Sequence, residues 1–426
     1  MTNAPQFSNP NTGSIGTGGG RVVQLAAKVR FQPGSAPQGR EMVAQRSLGN
    51  GEWGEEPGKG TRARPPARPA TIRPVTARLA LCLTAAALAS QAAGNPIDKA
   101  IHLFTAGGIP ATGPAEAAAP ARNWPDPAAA PDVPGRGLAQ HPMLFAGEGY
   151  NMLFVVDKGK VVWTYSTGQG GEIDDVWMLT NGHILFTTQF HVFEVTPRKE
   201  IVWHYDAPAG TEVHTCQPIG LDKVMLVQNG LPPKLIIVNK KTGAVETERA
   251  LPAPSETDPK TVHPQFRRAR ITAQGTYLAA HLNMNKVVEY DKDFKPIWTY
   301  EIPSPWSAVR LQNGNTLIDD ERERLVREVN PRGETVWEFR LTDLPAGLSF
   351  GNNQTADRLA NGNTVIFCST GGAKREDRPN RIQAVEVTPD KKVAWVLQDW
   401  KNLGPATTAQ FLDEPGVPEH PGEIAH

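Results

Sequence analysis

Residues 311–339 read LQNGNTLIDDERERLVREVNPRGETVWEF, and this stretch contains the unit from which the fold can be predicted. An Asn-Gly pair separates its first two apolar segments, and Asn330-Pro331-Arg332-Gly333 precedes a third segment centred on Trp337. Asn-Gly is favoured in β-hairpins because both central positions must accept positive φ. The stretch therefore predicts short antiparallel strands joined by tight turns.

The same unit recurs along the chain. Tryptophan-centred segments follow one another every 40 to 60 residues or so, apart from one gap, which is typical of propeller blades with four strands each, named A to D. The tryptophans are Trp163, Trp203, Trp298, Trp337 and Trp395. In the gap, Glu246 stands where the tryptophan would be. The turn between strands A and B recurs as Asn181-Gly182 and Asn361-Gly362, with Gln274-Gly275 as a variant.

Six copies predict an all-β fold, a six-bladed β-propeller over residues 139–426. The first copy, from His141, supplies only strands B to D, and residues 407–412 have the pattern of a single A strand. We therefore expect this C-terminal strand to complete the first blade and close the ring, which removes exposed sheet edges. The other blades are predicted at 172–206, 212–252, 262–302, 304–341 and 352–399. A seventh blade would have to lie before residue 139, and a β-sandwich does not explain six copies in phase.

The N-terminal third has a different composition. Residues 1–72 are rich in Gly, Pro and Arg, which predicts disorder and suggests a start site assigned too far upstream. In residues 73–93, arginines precede the apolar run Leu79–Ala89, as in a secretory signal. A chance alanine-rich patch is the alternative. Residues 94–138 are predicted to be a linker or a strap across the domain. We expect an exported protein, periplasmic or extracellular.

Charge and cysteine content narrow the class of partner. Lys and Arg number 44 and Asp and Glu number 44, so no basic field favours nucleic acid. The apolar run at 79–89 is too short to span a membrane. Cys216 and Cys368 lie in different copies and are expected to be buried thiols. We expect a monomer that recognises a small anionic molecule or a protein partner.

Aligning the A strands gives one polar position per blade that differs in every copy. In blade order, these positions are Thr407, Asp174, His214, Arg267, Trp306 and Gln354. Residues that only pack should look alike across copies, so this set predicts an asymmetric ligand site at one mouth of the central channel. Asp175, His263, Gln265 and Arg268 are expected around it. Solvation of a wet channel is the alternative. Two residues further along, Ala409, Val176, Cys216, Ala269, Ala308 and Ala356 are small, as expected around a narrow axis.

The two histidines and two arginines carry most of the possible chemistry. His214 and His263 stand near the starts of neighbouring A strands and are candidates for a nucleophile or general base. Arg267 and Arg268 favour an anionic ligand, because a guanidinium matches carboxylate, sulfate or phosphate oxygens. A surface salt bridge is the alternative for either arginine. The sequence offers no dense third and fourth ligand beside the histidines, so no metal site is predicted.

The repeat phrases EVTPRKEIVWHY, EVNPRGETVWEF and EVTPDKKVAW resemble the repeats of bacterial quinoprotein-like (PQQ-like) β-propellers. They are also similar to repeats of arylsulfotransferase propellers. The first resemblance implies a quinone cofactor in eight-bladed members, and with six blades we predict no cofactor. The second implies sulfuryl transfer through a histidine, a role that His214 or His263 would fill with Arg267 and Arg268. Two hypotheses follow: a recognition propeller without chemistry, or a transferase acting on an anionic ester.

Overall fold

The computed structural model describes residues 95–105, 133–147, 152–167, 172–369 and 374–426. Six four-stranded antiparallel sheets form a ring, so the predicted six-bladed β-propeller is confirmed. Neighbouring A strands contact one another, which places them innermost, around the central channel. We call the end of the channel where the A strands begin the upper mouth, and the end where they turn into B strands the lower mouth.

The strands agree with the predicted blades. Blade one comprises β1 (Met143–Ala146), β2 (Met152–Asp157), β3 (Lys160–Ser166) and β24 (Thr408–Phe411). Blade two comprises β4 (Val176–Met178), β5 (Ile184–Thr188), β6 (His191–Val195) and β7 (Ile201–Asp206). Blade three comprises β8 (Glu212–Ile219), β9 (Lys223–Asn229), β10 (Lys234–Asn239) and β11 (Val245–Ala250).

The remaining blades have the same order. Blade four comprises β12 (Phe266–Ile271), β13 (Tyr277–His281), β14 (Lys286–Tyr290) and β15 (Pro296–Glu301). Blade five comprises β16 (Pro305–Arg310), β17 (Thr316–Asp320), β18 (Leu325–Val329) and β19 (Thr335–Arg340). Blade six comprises β20 (Asn352–Arg358), β21 (Thr364–Ser369), β22 (Ala384–Val387) and β23 (Val393–Leu397). Short 3-10 helices lie at Pro259–Thr261, Leu282–Met284, Leu341–Asp343 and Arg375–Asn380.

The ring closes within blade one, as predicted. Strand β24 pairs antiparallel with β1, Met143 opposite Phe411 and Ala146 opposite Thr408. Phe411 and the following Leu412 are buried. The innermost strand of blade one therefore comes from the far end of the propeller sequence, and β1 has no unpaired edge.

The recurring tryptophans join each blade to the next. The indole N–H of Trp163 donates to the carbonyl of Pro197 at 2.8 Å. Trp298 donates to Pro331, and Trp337 to Pro389, in the same way. Each bond runs from strand D of one blade to the turn between strands C and D of the following blade. These three tryptophans therefore have a structural role.

A glutamate on strand C provides a second joint between blades. Glu194, Glu289, Glu328 and Glu386 occupy equivalent positions. Each forms an ion pair with a residue of the following blade or the segment that leads into it, respectively Lys240, Arg310, Arg358 and His141. Arg310 and Arg358 also stack over Trp298 and Trp337 of the preceding blade, at 5.0 and 5.3 Å. The joints of Arg310 and Arg358 thus combine a charge pair with an aromatic contact.

Part of the region predicted as a linker or strap is ordered against the propeller. Helix α1 (Pro96–Thr105) buries Ile97, Ala100, Ile101 and Phe104, which lie on one helical face. Phe104 packs edge-on against Trp163 at 5.4 Å. Arg136 forms an isolated bridge with Val396 of blade six. A composition rich in Pro and Ala masked this apolar stripe. The predictions for residues 1–72 and 73–93 lie outside the described residues.

Residues 413–426 cross the lower mouth. Glu419 bonds the backbone of Thr180 in blade two and of Gly220 in blade three. His426 is buried, and its Nδ1 lies 3.2 Å from an oxygen of Asp357. The sequence pattern gave no sign of this crossing segment. Among the described residues, no helix has the length and apolar character needed to cross a membrane.

Candidate functional site

The polar positions singled out from the sequence coincide with irregularities in the A strands. In blades three to six, the pairing of strand A with strand B shifts register at one place. The residues at the shifts are His214, the pair Arg267–Arg268, Trp306 and Gln354. A β-bulge redirects side chains and is common beside functional sites. The bulges explain why these positions diverge while the rest of each strand repeats.

The small residues do not line the axis, contrary to expectation. Cys216, Ala269 and Ala308 belong to hydrophobic clusters between blades, and so do Ala409, Val176 and Ala356. The axis is instead crossed by Arg268 of blade four. Its Nη2 lies 3.1 Å from the hydroxyl of Thr408 in blade one, across the ring. The bulges shift the alternation of side chains, so polar residues face the channel and small residues face the neighbouring blade.

Six ionisable residues meet at the upper mouth, and we call them the charged cluster: Glu172, Asp174, Glu212, His214, His263 and Arg267. His214 is buried at its centre. Its Nδ1 lies 2.7 Å from Asp174 Oδ2 and 3.1 Å from Glu172 Oε2. Its Nε2 lies 2.9 Å from Glu212 Oε2. Both nitrogens of His214 are therefore engaged by carboxylates, and neither is open to solvent.

His263 forms the outer part of the charged cluster. Its side chain is 45% exposed, and its ring lies edge-on to that of His214, with centroids 5.4 Å apart. Nδ1 is 2.8 Å from Glu212 Oε2, and Nε2 is 3.3 Å from Glu172 Oε1. The two histidines, from neighbouring A strands, are thus in direct contact, a point that the sequence left open.

Arg267 connects the histidines to blade five. Its Nη2 lies 2.8 Å from His263 Nε2 and 3.5 Å from Glu172 Oε2. The guanidinium stacks over the ring of Trp306 at 5.0 Å. Trp306 in turn donates its indole N–H to Glu321 at 2.9 Å. The guanidinium is thus held between an aromatic face and an imidazole at the edge of the channel.

The charged cluster shifts the pKa values of its members. Burial and the charge of Arg267 act to lower the pKa of His214, but its three carboxylate partners outweigh them and raise it to about 10. Hydrogen bonds to Glu172 and Glu212 raise the pKa of His263 to about 9. Burial acts to raise the pKa of Glu212, but hydrogen bonds to both histidines lower it to about 2. The carboxylates thus raise the pKa of both imidazoles, whereas the contact from Arg267 Nη2 to His263 Nε2 favours a lone pair on that nitrogen.

The pKa values of the other two acids, Glu172 and Asp174, shift in opposite directions. Burial acts upward on the pKa of Glu172, but hydrogen bonds to the two histidines hold it far below its usual value. Burial raises the pKa of Asp174 against the opposing effect of His214. Asp174 is 2% exposed, and its Oδ1 has no hydrogen-bond partner. One oxygen of this buried carboxyl is thus left unsatisfied by its surroundings.

Glu172 and Glu212 were not predicted from the sequence. Each stands two residues before a predicted site residue, Asp174 and His214 respectively. Residues two apart along an extended segment face the same side. That spacing was the signal available in the sequence. Looking two residues before the aligned position of each A strand would have identified both glutamates.

The remaining residues predicted for the site do not belong to the charged cluster. Asp175 is fully buried and forms a two-pronged ion pair with Arg270, both contacts at 2.8 Å. Gln265 is buried and exchanges hydrogen bonds with the backbone of Gly230. Gln354 and Thr407 are buried in blades six and one, away from the contacts of the charged cluster. The structure thus assembles Asp174, His214, His263 and Arg267, with Trp306 beside them.

A second concave region lies at the lower mouth. A cavity of about 330 Å³ opens between residues 411–426 and blades five and six. Its basic residues include Arg310 and Arg358, which already pair with Glu289 and Glu328. These arginines are engaged in joining blades, so the upper mouth is the stronger candidate site.

Comparison with known proteins supports the fold. No protein-family model matches the chain, and no curated protein matches it. Among solved structures, the chain is similar to a protein of unknown function from Bacteroides caccae, with 24% identity over 63% of this chain and 98% of that one and a TM-score of 0.56. Virginiamycin B lyase from Staphylococcus aureus aligns at 14% identity over 52% of this chain and 68% of its own, with a TM-score of 0.39. BamB from Moraxella catarrhalis aligns at 12% identity over 53% and 63%, with a TM-score of 0.34. The similarity to the Bacteroides caccae structure shows a shared fold and assigns no ligand.

Proposed function

We propose that the protein recognises a small molecule bearing an anionic group at the upper mouth. The observation that carries this proposal is the guanidinium of Arg267, held at the upper mouth between the imidazole of His263, 2.8 Å away, and the ring of Trp306, 5.0 Å away. The side chain of His263 is 45% exposed, so this pair lies next to solvent. A guanidinium always carries its positive charge, and it therefore attracts an anion that enters the mouth.

The geometry also favours a small ligand over a protein surface. Glu172 and Glu212 are recessed, with side chains 18% and 15% exposed, and only His263 is open to solvent to a large extent. The planar guanidinium of Arg267 stands at the rim, and its Nε has no hydrogen-bond partner. A guanidinium can bind a carboxylate, sulfate or phosphate through two parallel hydrogen bonds.

Group transfer through a mouth histidine is less well supported. His214 has both nitrogens held by carboxylates, so it offers no free lone pair as a nucleophile. His263 is more accessible, but its Nε2 lies against Arg267. Recognition therefore remains the proposed function, and export of the protein remains part of the proposal.

The first prediction tests the anionic ligand. Sodium sulfate, phosphate and acetate are titrated against the purified chain at constant ionic strength, with chloride as the reference salt. We expect at least one anion to raise the melting temperature along a saturable curve, because a ligand that binds only the folded state stabilises it. Arg267→Met should remove this response. The control Arg332→Met changes an exposed arginine of blade five and should keep it.

Two results would contradict the proposed function. One is a response no larger than that to chloride with all three anions. The other is an Arg267→Met chain that responds as the wild type does. Either would mean that the positive charge at the mouth serves only the stability of the ring.

A further inference from the structure

Both nitrogens of each histidine in the charged cluster lie near carboxylate oxygens. A neutral imidazole has one N–H donor and one lone pair, so at least one of the two nitrogens cannot donate unless the ring is protonated. The nitrogen–oxygen distances fall into two groups. Three are hydrogen-bond lengths, 2.7, 2.9 and 2.8 Å. Two are longer, 3.1 Å from His214 Nδ1 to Glu172 and 3.3 Å from His263 Nε2 to Glu172.

The longer distances match the spacing of ligand atoms around a small metal ion. Zinc–nitrogen and zinc–oxygen bonds near 2.1 Å in a tetrahedron put neighbouring ligand atoms about 3.4 Å apart. One ligand atom from each of Glu172, His214 and His263 lies within 4.8 Å of the other two. The three residues come from three consecutive blades, so the packing of neighbouring blades brings them together.

We propose that Glu172, His214 and His263 bind a divalent first-row transition metal ion, with zinc as the reference case. The donor set of two imidazoles and a carboxylate suits such an ion, whereas magnesium and calcium prefer oxygen alone. This inference rests on the proposed function and deepens it, because the ion supplies the positive charge to which an anionic ligand binds.

The other contacts of the charged cluster fit the surroundings of a metal site. If the ion takes His214 Nδ1 and His263 Nε2, the two remaining ring nitrogens are free to donate to Glu212. Both lie within 2.9 Å of the same oxygen, Glu212 Oε2. Metal-bound histidines commonly donate their second N–H to a carboxylate, which fixes the ring. Asp174 is buried beside the three ligands, with Oδ2 at 2.7 Å from His214 Nδ1 and Oδ1 without a hydrogen-bond partner.

Arg267 competes with the ion. Its Nη2 contacts His263 Nε2, the nitrogen that the metal requires. A guanidinium in this place balances the carboxylates, and metal binding must displace it. Removing the charge of Arg267 should therefore strengthen metal binding, whereas the same change should weaken anion binding. The two effects have opposite signs, which separates a metal site from an anion site built on arginine alone.

The test is a calorimetric titration of the full chain with zinc chloride alone, after removal of metals with a chelator. We expect one saturable site per chain. Direct ligands should matter most, so His263→Ala and Glu172→Gln should each weaken binding by at least about 100-fold, and Glu212→Gln by about 10- to 100-fold. Arg267→Met should bind zinc more tightly than the wild type. The control His191→Ala removes a histidine paired with Asp206 elsewhere in blade two and should change nothing.

Binding of zinc by His263→Ala with wild-type affinity would overturn the inference, as would the absence of a stoichiometric site in the wild type. If Glu172→Gln does not fold, His263→Ala decides, because that side chain is half-exposed and its loss leaves no buried gap. The cobalt form gives an independent measurement, since its visible absorption distinguishes tetrahedral ligation from surface binding. If zinc binds and no anion does, the proposed function fails and the metal site stands. If anions bind and zinc does not, the proposed function stands and the metal site fails.

Discussion

His141 illustrates how a single side chain secures the closure of the ring. It packs edge-on against Trp395 of blade six and Phe411 of blade one, with centroids 5.1 and 4.9 Å away. Its Nε2 lies 3.1 Å from Glu386 and its Nδ1 3.6 Å from Asp413. Burial acts to lower its pKa, but these two carboxylates raise it to about 9. The folded state therefore holds this imidazole in its charged form.

The stability of the protein should depend on pH through His141. A pKa raised from 6.5 to about 9 stabilises the fold fully below pH 6.5, and this contribution is lost as pH rises through 9. His141→Gln should lower the melting temperature most at pH 6, and much less at pH 10. Melting curves of both chains at pH 6, 8 and 10 check this, with the exposed His420→Gln as control. A difference between the chains that does not vary with pH would contradict it.

At the level of single residues, the sequence predicted part of the site. Asp174, His214 and Arg267 were identified because they break a repeat, and His263 because it stands near the start of a neighbouring A strand. Glu172 was missed, and so was Glu212, because each precedes the position at which the copies were aligned. The contact between the two histidines could not be derived from spacing along the chain, since they are 49 residues apart (214 to 263) and meet only through the packing of blades three and four.

At the level of elements, the joints between blades are the repeated feature that carries stability. Glu328 on strand β18 has a nearly buried side chain and lies 2.8 Å from Arg358, which stacks over Trp337. Asn315 donates to the same carboxylate at 2.6 Å. One carboxylate therefore links strands of blade five to strand A of blade six.

Neutralising this joint should destabilise the ring. Glu328→Gln leaves a mostly buried guanidinium without its counter-charge, and we expect the free energy of unfolding to fall by about 1–3 kcal/mol. Glu334→Gln is the matched control. Glu334 belongs to the same blade and pairs with an arginine, but at an exposed turn, so its loss should leave stability unchanged. Urea denaturation of both variants checks the prediction, and equal effects would contradict it.

The elements were predictable where they repeat and unpredictable where they do not. Blade three has Glu246 in place of tryptophan, so the joint from its strand D to blade four lacks the indole donor. Helix α1 has no counterpart in the copies, and the A-strand bulges of blades three to six lie at the positions where the copies differ, so the repeat pattern could not predict either feature.

At the level of the whole molecule, blade number and closure were predicted because each copy must bury the same faces. Closure by β24 leads to a further prediction. A chain ending at Ala406 lacks this strand, including Phe411 and Leu412, whose burial contributes roughly 1.5–3 kcal/mol each. Against a total stability of about 5–15 kcal/mol, we expect loss of the cooperative thermal transition.

The control for this truncation is a chain ending at Asp413, which keeps β24 and removes only the segment across the lower mouth. It should unfold cooperatively at a reduced temperature. A synthetic peptide of residues 405–416 should restore the transition to the shorter chain. Cooperative unfolding of the shorter chain without the peptide would contradict the role assigned to β24.

The closure described above also has a consequence for the order of events during synthesis. Blades two to six are each encoded by a contiguous stretch, so each can form soon after it leaves the ribosome. Blade one cannot, because its innermost strand is made more than 240 residues after its outermost, which ends at Ser166 while β24 begins at Thr408. Strands β1 to β3 therefore remain an incomplete sheet until β24 has been made. A propeller joined in this way passes through its most aggregation-prone stage just before β24 is made, when five blades are complete and blade one still lacks one strand.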